Sequence, residues 1–161
     1  MAADVSALQA AWSQYPAGMT TIDKLTAINS LKAIGPAVDV QRSEIQKVMS
    51  AHGVLDKMQA YVANPAAATQ PCLTATNYIL AVVLYEAETL GELMLVTSDP
   101  ANLNLVQQIA PDLLADPANG MTADILAQMM ALITPGVPWW QAHGFAGPIT
   151  VKDLIAAGNL F

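Results

Sequence analysis

Residues Leu73–Thr97 read LTATNYILAVVLYEAETLGELMLVT, and the fold class turns on them. The apolar run from Tyr78 to Tyr85 has the β-branched and tyrosine content of a buried strand. The pattern continues through Glu86-Ala-Glu-Thr-Leu without a turn signal, and that length favours a helix. The stretch therefore predicts one long helix, apolar nearly all round, against which shorter segments pack. Ile79, Leu80, Val83, Leu84, Leu90 and Leu93 form its expected core side, with Tyr85, Glu88 and Glu92 on a face that meets a partner. Gly91 is expected to weaken or bend it, or to let another helix approach closely.

The same residues weigh against a membrane span. A spanning helix needs about 20 apolar residues in a row, whereas Glu86, Glu88 and Glu92 follow Tyr85 directly. The chain is nevertheless 54% hydrophobic and only 12% charged, with a mean hydropathy of +0.40. Average domains carry about 25% charged residues. At 161 residues the chain is long enough for one domain with a real core. So little charge suggests a subunit whose surface is covered by partners. Met1-Ala-Ala-Asp-Val has neither the basic nor the apolar region of a signal peptide. The expected location is therefore the cytoplasm, or a virion if the chain is a viral component. Chain ends usually fray, and a neighbouring subunit is the expected restraint on them.

Net charge is −7 and unevenly placed. Residues 1–57 balance Lys24, Lys32, Arg42, Lys47 and Lys57 against Asp4, Asp23, Asp39, Glu44 and Asp56. Residues 58–161 set Lys152 alone against eight carboxylates. That half has no basis for gripping phosphates, so direct nucleic-acid binding is not expected. The polarity suits the neutral end of one subunit meeting the acidic end of the next; ordinary acidic solubility explains it as well. The single Cys72 excludes an internal disulfide.

Working outward from the long helix, Val5, Leu8 and Trp12 recur at helical spacing and predict a first helix over 4–14, ended by Pro16. Thr20 or Thr21 caps a second, carrying Ile22, Leu25, Ile28 and Leu31, which Gly35-Pro36 stops. Val38, Ile45, Val48, Met49 and His52 suggest a third helix, with Gly53 as its end or as a bend before Leu55, Met58, Tyr61 and Val62. Residues 64–71, bracketed by Pro65 and Pro71, form a linker and the candidate subdomain boundary within one domain, 1–161.

Ser98-Asp99-Pro100 restarts a helix with Leu103, Val106 and Ile109 inward, interrupted by Pro111. After a turn at Asp116–Gly120, Thr122 begins another with Ile125, Leu126, Met129, Met130 and Ile133. Thr134–Pro138 breaks it, and a last helix runs from Thr150 to Ala157 with Gly158 as its left-handed stop. No hairpin signal appears. The expected class is all-α, an irregular bundle of about six to eight short helices around the long one.

Two stretches echo each other. Residues 18–31 overlay 147–160, with Thr21, Leu25 and Leu31 on Thr150, Leu154 and Leu160. Each follows a tryptophan, Trp12 or Trp140, and an aromatic before Ala-Gly, Tyr15 or Phe145. Either both are simply well-capped helix starts, or they are related docking elements; no further copy makes a solenoid.

No motif carries chemistry strongly. Glu88 and Glu92 share a helical face, but a di-metal site also needs Glu-x-x-His pairs. Met49 precedes His52 by three residues and Trp140 precedes His143, so no metal or cofactor is expected. Cys72 with His52 or His143 as base is a conceivable nucleophile, though a lone cysteine in an apolar chain is ordinarily a small core residue. Pro138-Trp139-Trp140-Gln141-Ala-His143-Gly-Phe145 is the most unusual segment. It suits stacking on a flat ligand, anchoring a protein interface, where tryptophan is enriched, or closing the core.

The leading expectation is a non-enzymatic interaction subunit of a larger assembly, with a virion as one example. Other protein subunits are its partners, and no catalytic residue is assigned. The interface candidates are Trp12, Tyr15, Trp139, Trp140, His143, Phe145, Glu88 and Glu92. The alternatives are a small-molecule or hydrophobic-ligand binder with a pocket beside the Trp139–Phe145 segment, and an enzyme using Glu88/Glu92 or Cys72/His143.

Overall fold

A computed structural model of the chain describes residues 2–84 and 94–158. Its elements in order are helices α1 (Val5–Ser13) and α2 (Thr21–Ser30), strands β1 (Lys32–Ile34) and β2 (Val40–Gln41), then helices α3 (Arg42–Ala51), α4 (Val54–Ala63) and α5 (Gln70–Leu84). Strand β3 (Met94–Leu95), helix α6 (Pro100–Ala115), a 3-10 turn at Pro117–Asn119 and helix α7 (Ala123–Ile133) follow. Strand β4 (Gly136–Pro138) and helices α8 (Trp139–Ala142) and α9 (Val151–Ala156) complete the described chain. These residues fall into two compact units. Met1–Gly35 joins Gly136–Phe161 in the first, and the continuous stretch Pro36–Pro135 makes the second.

Five of the described helices, α1, α2, α6, α7 and α9, start where a side chain accepts an orphan backbone N–H. Asp4 caps α1 by accepting from the Ala7 N–H at 3.0 Å. Thr20 and Thr150 accept from the N–H groups of Asp23 and Asp153, three residues on. Asp99 caps α6 with Pro100 in its first turn, and Thr122 caps α7. Gly53 takes φ +61° between α3 and α4, a left-handed bend that turns the chain without a loop.

The second unit buries a core drawn from most of its elements. Ile45 and Met49 of α3, Val54 and Met58 of α4, Ala75, Ile79, Leu80 and Val83 of α5, Val106 and Leu113 of α6, and Ile125, Met129 and Ile133 of α7 are all buried. α5 packs against α3, α4 and α6. No helix among the described residues is long and apolar enough to cross a membrane.

The fold is mainly helical, and it departs from the all-α expectation in two places. β1 pairs antiparallel with β4, Ala33 opposite Val137, inside the first unit. β2 pairs antiparallel with β3, Val40 opposite Leu95, inside the second. Both pairs join segments far apart in the chain, so no turn between neighbouring strands announces them.

The second pair also corrects the Leu73–Thr97 helix. It starts earlier, at Gln70, and is helical through Leu84, which removes the strand alternative for Tyr78–Leu84. It does not reach Thr97, because Met94–Leu95 is extended and paired with Val40–Gln41. Thr97 is buried in a turn, where its hydroxyl donates to the Val38 carbonyl. Ser98 N–H donates to Asp39 Oδ1 at 2.9 Å and fixes the same crossing. The expected roles of Tyr85, Gly91, Leu90 and Leu93 lie outside the described residues.

Two smaller corrections follow the same logic. Pro111 does not interrupt α6, which runs to Ala115 as the longest described helix. A proline inside a helix deprives the carbonyl four residues back of its donor; here that carbonyl belongs to exposed Gln107, where water can replace it. α2 ends at Ser30 rather than at Gly35-Pro36, because Leu31 turns extended into β1. The linker 64–71 lies within the second unit.

Candidate functional site

The sequence points to the aromatic segments, and the structure gathers most of them into the first unit. Its core is Leu8 and Ala11 of α1, Ile28 of α2, Phe145, Ile149, Leu154 of α9 and Ala157. Trp12, Tyr15, Leu25, Trp139 and Trp140 pack around it, partly buried. The Trp139 ring lies 4.2 Å from the His143 ring and 6.3 Å from the Phe145 ring, the latter nearly parallel. The Lys24 ammonium sits 5.0 Å above the Trp12 ring, its stem buried, an arrangement in which a cation faces the negative ring surface.

Polar bonds tie the two ends of the chain together within this unit. Asn29 clamps Ile149, donating to its carbonyl at 3.0 Å and accepting its N–H at 2.7 Å. Gln9 donates to the Ala157 carbonyl. Trp139 N–H donates to the Leu31 carbonyl at 3.0 Å, continuing the β1–β4 pairing. At the start of the chain, Asp4 N–H donates to the His143 carbonyl at 2.8 Å, and Asp4 Oδ2 stands 3.7 Å from His143 Nδ1. The Ala7 N–H, then the Ser6 hydroxyl, hold the Asp4 carboxyl below its ordinary value. Gly144, at φ +76°, lets the Ala2 carbonyl approach so closely that a Cβ there would stand 2.7 Å from it. The residues Ala2 and Asp4 thus meet Gly144 and His143 of this same unit.

Trp12, Tyr15, Trp139, Trp140 and Phe145 therefore share one small core. Phe145 is withdrawn into it, while His143 and the other four keep part of their surface accessible. The two echoing segments also meet here, in a register one residue away from the sequence overlay. The capping hydroxyls are Thr20 and Thr150, which aligns Asp23 with Asp153 and buried Lys24 with buried Leu154. Glu88 and Glu92 lie outside the described residues.

The second unit holds a buried polar cluster where the sequence predicts only a turn. Asn119 closes the 3-10 turn and is fully buried. Its amide donates to the Leu113 carbonyl at 2.8 Å and lies 3.3 Å from both Cys72 Sγ and Thr76 Oγ1. Its side-chain oxygen accepts the Met121 N–H at 2.8 Å. Tyr61, also buried, donates to Asp116 Oδ2 at 3.1 Å. Burial pushes the Tyr61 phenol above its ordinary value, helped by the Cys72 sulfur and the Asp116 carboxylate.

This cluster decides the surroundings of Cys72. The thiol is fully buried and receives an amide N–H. His52 is at the exposed C-terminal end of α3 beside Gln128 Oε1, and His143 stacks on Trp139. Among the described residues no three His, Cys, Asp or Glu side chains group so as to hold a metal ion. The Asn-Gly pair at 119–120 was the available signal for the cluster, since asparagine bonding to local backbone is a regular turn device. That its amide would also reach α5 was not written in the sequence.

Compared with protein-family profiles, curated proteins and solved structures, the chain matches none.

Proposed function

We propose that the protein is a non-enzymatic interaction subunit, whose copies associate through the first unit into a larger assembly. The observation that carries this reading is where charge and exposed apolar surface fall. In the first unit Lys24, Lys32 and Lys152 balance Asp4, Asp23 and Asp153, so its net charge is zero and the chain's −7 belongs to Pro36–Pro135. Large aliphatic side chains are exposed in both units, Val38, Val96, Leu105 and Leu114 in the second, but the four most exposed among the described residues belong to the neutral unit. Ile22 is 75% exposed, Ile34 81%, Val151 47% and Ile155 50%. Val151 and Ile155, four apart, lie on one face of α9.

A neutral surface lacks the like-charge repulsion that keeps copies apart. Exposed aliphatic groups then gain about 25 cal/mol for each Å² removed from water. Like-charged second units oppose association, which leaves the first unit as the surface through which copies meet. The partly accessible Trp139 and Trp140 add the side chains most often dominant in interface energetics. A virion is one setting for such a subunit.

Sedimentation equilibrium over micromolar concentrations tests this reading. The wild type is expected above its 16.9 kDa monomer mass, rising with concentration. Ile22→Asp, Val151→Asp and Ile155→Asp together should return it to a monomer with unchanged circular dichroism. A wild type that stays monomeric throughout overturns the reading.

A further inference from the structure

The second unit holds a groove whose lining is unlike that of the aromatic cluster in the first. Lys57, Ala60, Tyr61 and Asn64 follow one another at helical spacing along one face of α4 and past its end. Ala66 and Ala118, the latter from the 3-10 turn, complete the lining. The groove holds about 420 Å³, within the range of small-molecule sites. We propose that it binds a small organic anion, a carboxylate on a short apolar body.

The chemistry follows from what lines the space. The methyl groups of Ala60, Ala66 and Ala118 give an apolar surface but do not fill it. Lys57 and Asn64 provide a cation and an amide. Lys57 has no carboxylate within ion-pair distance among the described residues. The acidic group beside Tyr61 is already occupied: Asp116 Oδ1 accepts the Ala118 N–H and Oδ2 the Tyr61 hydroxyl.

One contact gives order to this otherwise open groove, whose lining is exposed except at Tyr61. Gly120, at φ +85°, supports the Lys57 stem so closely that a Cβ there would fall 2.7 Å from Lys57 Cδ. A stem seated in this way loses less freedom when its ammonium meets an anion, so less of the interaction is spent on ordering.

A carboxylate can come from a free short-chain acid or from a peptide C-terminus, so the probes are butanoate, N-acetyl-trialanine and the neutral control butanamide. In NMR titration of the full chain, either carboxylate should shift the Ala60, Ala66 and Ala118 amide signals saturably in the millimolar range. Whichever carboxylate binds more tightly names the source. Butanamide should bind at least tenfold more weakly. Lys57→Met and the groove-filling Ala118→Leu should each abolish the shifts, and Lys57→Arg should keep them. No saturable shift with either carboxylate overturns the proposal, as does equal binding of butanamide or unchanged binding by Lys57→Met.

Discussion

Replacing Asn119 by alanine should cost the second unit more than any surface substitution. The side chain is fully buried and makes two short backbone bonds, to the Leu113 carbonyl and from the Met121 N–H, both 2.8 Å. Alanine satisfies neither. A buried group left without its partner costs about 1–3 kcal/mol, so the two together cost about 2–6 kcal/mol. The space vacated beside Cys72 and Thr76 adds to this. A loss of about 4 kcal/mol is large against the roughly 5–15 kcal/mol that holds an ordinary domain together. Urea denaturation followed by far-ultraviolet circular dichroism measures it. Asn119→Asp sharpens the test, because it keeps an acceptor for Met121 but loses the amide donor. Burial should raise that carboxyl above its unfolded value of about 4, so the variant loses stability as pH rises beyond that value. A loss below about 1 kcal/mol in Asn119→Ala, or an Asn119→Asp variant with no such pH trend, would refute the assignment of Asn119 as the hub of this unit.

Gly144→Ala places a Cβ 2.7 Å from the Ala2 carbonyl at a positive φ and should cost about 1–3 kcal/mol. Trp12, Trp139 and Trp140 all belong with Gly144 to the first unit, so tryptophan emission during denaturation reads the shift directly. Half-buried Arg42 holds its Nε and Nη1 out of water without a hydrogen-bond partner; Arg42→Met should leave the melting temperature unchanged or raise it, because buried donors without acceptors are a cost that an apolar side chain avoids. Asp4, held below its ordinary value of 3.8 by its bonds to Ala7 and Ser6, contributes cap stability that is present above 3.8 and lost as pH falls through its lower folded value. Amide exchange at Ala7 should accelerate there relative to an Asp4→Asn control, whose cap does not titrate.

Much of the helical skeleton was legible because its signals are local. Asp4, Thr20, Asp99, Thr122 and Thr150 each cap within three residues of themselves. Gly53 and Gly158 mark left-handed bends that their neighbours could not adopt cheaply. What the sequence concealed is long-range. The Leu73–Thr97 periodicity concealed a strand because the β2 partner of Met94–Leu95 lies more than fifty residues upstream. Pro111 reads as a break unless one knows that Gln107 faces water. The meeting of Trp12 with Trp139 and Trp140 depends on the β1–β4 pairing and on the Asn29–Ile149 clamp, neither of which leaves a local trace.

A unit assembled from both ends of a chain also has a history during synthesis. Residues 36–135 are continuous and can complete their core soon after they emerge. Leu8, Trp12 and Ile28 emerge earlier, yet Phe145, Ile149 and Leu154, the residues that cover them, follow roughly 120–145 residues later. At roughly 5–20 residues per second, that interval lasts about 6–29 s. Throughout it the nascent N-terminal helices present bare apolar faces to whatever is nearby, including other nascent copies.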